Sequence, residues 1–136
     1  MAVPSHILER ETIYELLNGF LYKDEQIPSS FLKKFMSAVG ASQNAAAKLL
    51  GVATRTLQRE LGSKLLSKEL SDRFLQVIDL YKEGIDAFYS IDTFRQWLST
   101  SKATFQGKTP YEMMLSITGI QQVKEEIIRT KLGILS

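Results

Sequence analysis

Residues 42–62, SQNAAAKLLGVATRTLQRELG, constrain this chain more than any other stretch. Ala45, Ala46 and Ala47 precede Leu49 and Leu50 on one short helical segment, Gly51 breaks it, and a second segment runs from Arg55 to Leu61. A small side chain such as Ala47 lets two helix axes approach closely, and Gly51 is suited to the positive φ that ends a helix. Val52 points inward, and Thr54 is placed to cap the second segment through its hydroxyl. Leu57 and Leu61 are four residues apart and pack inward together. Two short helices crossing around a turn of three or four residues make a helix-turn-helix.

The outward positions of the second helix are then Arg55, Thr56, Gln58 and Arg59, where a helix lying in a major groove meets base edges. Residues 33–66 carry six basic side chains, Lys33, Lys34, Lys48, Arg55, Arg59 and Lys64, against Glu60 alone. The whole chain has a net charge of only +2, so this basic excess is local and the remainder is acidic on balance. A local basic patch is the electrostatic footprint of duplex binding. Lys48, Arg59 and Lys64 are the expected phosphate contacts, assisted by Ser42 and Gln43 at a helix N-terminus. Arg55, Thr56 and Gln58 are the expected base readers. Glu60 opposes this, since an acid on the reading helix repels phosphate. The plain alternative is a helical hairpin that serves only the core.

At 136 residues the chain makes one domain or two small ones sharing a core. Its apolar runs are too short to span a bilayer, and its start lacks the basic and apolar regions of a signal peptide. With no cysteine, disulfides and thiolate sites are excluded, which fits a cytoplasmic address. His6 is the sole histidine, and the eight glycines are scattered singly. A histidine triad, a zinc site and a phosphate-binding glycine loop therefore lack material. The expectation is a protein without catalysis, cofactor or metal; Glu125 and Glu126 read as the solvated face of a helix.

The rest of the chain reads as helices. Glu9 to Gly19 forms a short entry helix, followed by a loop from Tyr22 to Pro28. Ser29 or Ser30 caps a helix with Phe31, Leu32, Phe35, Met36 and Val39 on its inner face, ended by Gly40. After a joint at 62–67, Ser67 caps a long helix from about Lys68 to Tyr89, with a break possible at Gly84. Asp92 caps the next helix, which turns Phe94, Trp97 and Leu98 inward. A polar loop from Ser99 to Lys108 leads to Thr109-Pro110-Tyr111-Glu112, a strong helix start. Met113 and Met114 are adjacent, so they cannot both face one core, and one is a candidate interface residue. The last helix, about Ile120 to Leu132, turns Ile120, Val123, Ile127 and Ile128 inward and Lys124, Glu125 and Arg129 outward. Gly133 stops it and leaves an apolar tail, Ile134, Leu135 and Ser136. No segment has strand periodicity, so the fold class is all-α.

The string Arg55-Thr56-Leu57-Gln58-Arg59, with Leu66-Ser67 and Ser71-Asp72-Arg73 after it, resembles the Xre/ParS/MbcA-type antitoxins. The C-terminal half strengthens the likeness through Trp97-Leu98, Gly107, Thr109-Pro110, Gly119, Val123 and Gly133, in that order. The resemblance covers about residues 42–136. It implies an antitoxin of a type II toxin–antitoxin module, paired with a RES-domain toxin that consumes or uses NAD. It further implies that the C-terminal domain covers the toxin's active-site cleft with the final residues directed into it. The helix-turn-helix would repress the protein's own operon, and self-association to a homodimer would present two reading helices to two half-sites. Residues 1–66 then form the DNA-binding region, and 67–136 the helical dimerisation and toxin-binding domain. The expected toxin contacts are Phe105, Met113, Met114, Arg129 and Lys131 together with Ile134, Leu135 and Ser136. The competing functions are a stand-alone helix-turn-helix regulator whose C-terminal half only dimerises, and an interaction module that has lost DNA binding.

Overall fold

A computed structural model describes residues 26–133, together with Glu11, Ile13, Tyr14, Glu15 and Asn18, which are helical. The entry helix is met at those five positions, where Ile13 is fully buried. His6 and the tail residues Ile134, Leu135 and Ser136 lie outside the described residues. The described chain contains helices and turns but no strand, and it divides into a front unit, Glu11–Asp79, and a rear unit that comprises Leu80–Ser136. No helix among the described residues is long and apolar enough to cross a membrane.

The first complete helix of the front unit, α1 (Ser29–Val39), buries Leu32, Phe35 and Val39 along one stripe. Phe31 and Met36, expected inward, flank that stripe and are half-exposed, and the Lys34 ammonium sits 5.5 Å from the Phe31 ring centroid. Neither Ser29 nor Ser30 caps α1. Pro28 holds the cap position, and the Ser29 hydroxyl donates instead to the carbonyl of Ser63. Residues 26–28 run antiparallel to residues 64–66: Leu66 N–H donates to Ile27 O at 2.8 Å and Ser29 N–H to Lys64 O at 3.1 Å. Two segments that read as loops thus satisfy each other's backbone groups. The buried Ser71 hydroxyl completes the arrangement by accepting Ile27 N–H at 3.0 Å.

Helix α2 (Gln43–Leu50) starts under the Ser42 hydroxyl, which accepts Ala45 N–H at 3.1 Å. It ends at Gly51, whose φ of 68° is the left-handed conformation that glycine adopts without a Cβ clash. Helix α3 (Thr54–Leu61) begins one residue earlier than the sequence implied. Ala53 is its cap, without a side-chain bond, so the capping role expected of Thr54 is not filled. Inside the first turn, the Thr54 hydroxyl reaches across to Asn44 Oδ1 at 3.0 Å.

The long helix α4 (Lys68–Phe88) is capped by Ser67, whose hydroxyl accepts Leu70 N–H at 3.2 Å. Phe74, fully buried, meets Phe35 edge-on at 5.4 Å, so the first half of α4 is part of the front core. Burial of a side chain this size contributes roughly 1.5–3 kcal/mol. The division between units accordingly falls within α4, at Asp79, beyond the 66/67 joint on which the sequence-based domains were drawn.

Helix α4 passes through Gly84 without a break. A Cβ at Gly84 would collide with the Phe94 ring, so glycine here admits an aromatic neighbour to the helix backbone. Phe94 belongs to α5 (Ile91–Leu98). The cap of α5 is Ser90, accepting Thr93 N–H at 3.1 Å; Asp92 lies inside the first turn and is not the cap. Phe94 meets Tyr81 edge-on at 5.3 Å and stacks with Phe88 at 5.9 Å. Trp97 packs on Phe88 and Phe94 but is only half-buried, with the Lys102 ammonium 5.5 Å from its ring.

A 3-10 turn (Ala103–Phe105) follows, then α6 (Pro110–Met113), whose Thr109–Glu112 capping box is fully formed. Helix α7 (Ile117–Lys131) starts under Ser116, earlier than the expected Ile120. It buries Ile120, Val123 and Ile127. Ile128 is turned outward and Glu126 inward, the reverse of both expectations. At 3.6 residues per turn, Ile128 lies about 100° around the helix from Ile127, whereas Glu126 follows Val123 by three and takes the inward slot.

Candidate functional site

In the front unit, α2 and α3 place Arg55, Gln58 and Arg59 on exposed positions, with Thr56 half-exposed. Leu57 and Leu61 are buried beneath them. Gln58 Nε2 donates to Gln43 Oε1 at 3.1 Å, so two expected DNA-binding residues are joined across the helix pair. Ser42 commits its hydroxyl to the α2 cap and is exposed, as is Lys48. Lys64 is exposed as well, and so are Lys33 and Lys34; all six basic side chains of this stretch face solvent.

Glu60, the acid of this stretch, is half-exposed on α3. Its carboxylate turns to the joint and accepts Ser67 N–H at 2.7 Å. Behind the pair, Arg73 of α4 donates from Nε to Leu49 O at 3.1 Å, near the carbonyl end of α2 where a cation is favoured. Burial lowers the Arg73 pKa from its usual value, yet a guanidinium stays protonated at neutral pH. Neither Glu60 nor Arg73 reveals these roles in sequence, because both partners are backbone groups supplied by the fold.

In the rear unit, the 3-10 turn, α6 and α7 border a half-open cavity of about 380 Å³. Thr104, Phe105, Gln106, Lys108 and Met113 line one side, and Gln122, Glu125, Glu126 and Arg129 of α7 the other. Of the expected toxin contacts, Phe105, Met113 and Arg129 therefore meet in one place. Met114 does not: it is fully buried and belongs to the core, which leaves its half-exposed neighbour Met113 as the surface member of the pair. Phe105 is itself buried, so it serves as cavity wall rather than as a projecting contact.

Lys131 is held elsewhere, 3.5 Å from Glu83 Oε2 and 3.6 Å from Asp86 Oδ2 of α4. These ion pairs tie the last turn of α7 to α4. Sequence reading missed Glu126, which lines the cavity yet is only 4% exposed; its Oε2 faces Arg129 Nη1 at 3.4 Å. The available signal was its spacing of three from Val123. At the two ends of α7, Ile117 opens the helix and Leu132 is its C-cap. They are 70% and 69% exposed, large apolar side chains open to solvent.

Two family models match these two units. Residues 24–79 match the antitoxin Xre-like helix-turn-helix domain. Residues 84–133 match the antitoxin Xre/MbcA/ParS C-terminal toxin-binding domain. The chain belongs to the Xre/MbcA/ParS-type antitoxins. Comparison with curated proteins finds no match. In this antitoxin the helix-turn-helix match contains the whole basic patch, and the toxin-binding match contains the whole cavity. It is a type II antitoxin with one module for each kind of partner.

Proposed function

We propose that this antitoxin neutralises a RES-type, NAD-consuming toxin by covering its active-site cleft, and represses its own operon through α2 and α3. The observation that carries the DNA half is six exposed basic side chains around a paired α2–α3, with Glu60, the one acid of residues 33–66, turned to the backbone. Phosphate contacts come from Lys48, Arg59 and Lys64, with Ser42 and Gln43 at the α2 N-terminus. Base discrimination comes from Arg55, Thr56 and Gln58. A homodimer in the cytoplasm would place two such elements on two half-sites.

The toxin half draws on the toxin-binding module and on the resemblance to partners of RES-domain toxins. Occlusion needs no chemistry from the antitoxin. Ile134, Leu135 and the Ser136 carboxylate would enter the cleft, with Met113 and Arg129 contributing from the domain surface. Lys131, already paired with Glu83 and Asp86, would fix the point from which the tail departs.

Co-expression with the product of the neighbouring reading frame tests this directly. Cellular NAD should fall with that product alone and recover when the antitoxin is present. Removal of residues 134–136 should weaken the rescue while leaving the thermal midpoint unchanged. Stable NAD in both cultures would overturn the RES assignment, and full rescue by the shortened chain would overturn the role of the tail.

A further inference from the structure

We propose that the cavity between the 3-10 turn and α7 is a receptor for one basic side chain, an arginine or lysine, presented by the toxin. The proposal rests on the antitoxin reading and names a chemical anchor for its interface. Phe105 and Met113 give the cavity apolar walls suited to a methylene stem. Its lining includes Glu126, a carboxylate only 4% exposed. Glu125 adds a second carboxylate at the exposed rim.

The lining also contains two cations, Lys108 and Arg129, so position decides the sign of the guest. Lys108 is exposed and the Arg129 side chain is 52% exposed, so water and salt screen both. Glu126 sits in lower dielectric, where an opposite charge is held more strongly. Arg129 reaches it through one nitrogen at 3.4 Å, beyond the usual range for a good N–H···O bond. A guanidinium entering along the apolar walls can offer two parallel N–H groups instead, the stronger geometry. A buried arginine anchor flanked by apolar contact is how binding energy concentrates in protein interfaces.

The test titrates the full isotope-labelled chain with N-acetylarginine amide and, separately, with N-acetylaspartate amide, followed by amide chemical shifts. The arginine probe should give saturable shifts confined to residues 104–113 and 122–129, and the aspartate probe none. Glu126→Gln should abolish the response, and Met113→Arg, which fills the cavity from within, should do the same. Arg129→Ala removes the internal competitor and should tighten the arginine probe by up to about fivefold, the worth of a half-exposed ion pair. Binding of the aspartate probe that weakens in Arg129→Ala would mean an anion site and overturn the proposal, as would no shift with either probe. In the NAD-rescue assay, a folded Glu126→Gln chain should neutralise at least tenfold less well. Equal rescue by wild type and variant overturns the anchor and leaves the antitoxin reading intact. No rescue by wild type overturns that reading, and with it the toxin as donor.

Discussion

The carboxylate of Glu60 on α3 accepts the backbone N–H of Ser67, the cap residue of α4, at 2.7 Å. The one acid of residues 33–66 therefore joins α3 to the long helix α4. Glu60→Ala should lower stability by about 1 kcal/mol, read as a shift in the urea midpoint at constant slope. It should not raise affinity for operator DNA. A clear gain in affinity on gel-shift titration would show that the carboxylate faces phosphate.

At Gly84 the expected sign opposes helix propensity. Alanine in a helix interior ordinarily gains about 1 kcal/mol over glycine. Here its methyl group would overlap the Phe94 ring, so Gly84→Ala should destabilise by about 1–3 kcal/mol through overpacking. Chemical denaturation of the variant decides between the two signs.

Arg55 is exposed on α3 above the buried Leu57 and Leu61. Arg55→Ala should cost about 1–3 kcal/mol at the cognate operator and leave toxin neutralisation unchanged. Lys48→Ala and Lys64→Ala should instead weaken binding to all sequences and each reduce the slope of log affinity against log salt by about 0.9. An operator titration with unaltered Arg55→Ala affinity would remove that residue from the reading role.

Burial, reinforced by the neighbouring Tyr111 and partly offset by Arg95, pushes the Tyr81 hydroxyl up to about 12. Its unfolded value is about 10. The unfolded chain thus loses this proton first, and the stability gained from a neutral buried Tyr81 is complete below pH 10. It is lost as pH rises from 10 towards 12. Absorbance titration should show Tyr81 ionising late, with Tyr111 also raised by its burial, and the thermal midpoint falling over that window. Tyr81→Phe should flatten the fall.

Much of the helical plan was legible because its signals are local. Ser67 and the Thr109–Glu112 box act within one turn, and each cap stands where its residue type required. Three other capping assignments failed, for two reasons. Ser29 and Thr54 have a hydroxyl that the fold engages with a distant partner, Ser63 or Asn44, and Asp92 yields to Ser90, two residues earlier. Local capping propensity does not see the competing acceptor or the exact turn at which the chain enters a helix.

The candidate sites split along the same line. Arg55, Gln58 and Arg59 could be placed outward from the spacing of Leu57 and Leu61 alone. The rear cavity could not be placed, because it needs a loop at 104–108 and a helix at 122–129 brought together. Glu126 looked solvated beside Glu125, and only packing showed it buried.

By itself, then, the order of residues determined the helix-turn-helix, its basic surface, the all-α class and the succession of helices, since periodicity and charge are properties of neighbours along the chain. Tertiary structure alone decided that Glu60 serves a helix start, that Gly84 yields space to Phe94, and that Glu126 lines a pocket. Those outcomes depend on which groups far apart in sequence exclude water from one another, and no window of neighbouring residues contains that information.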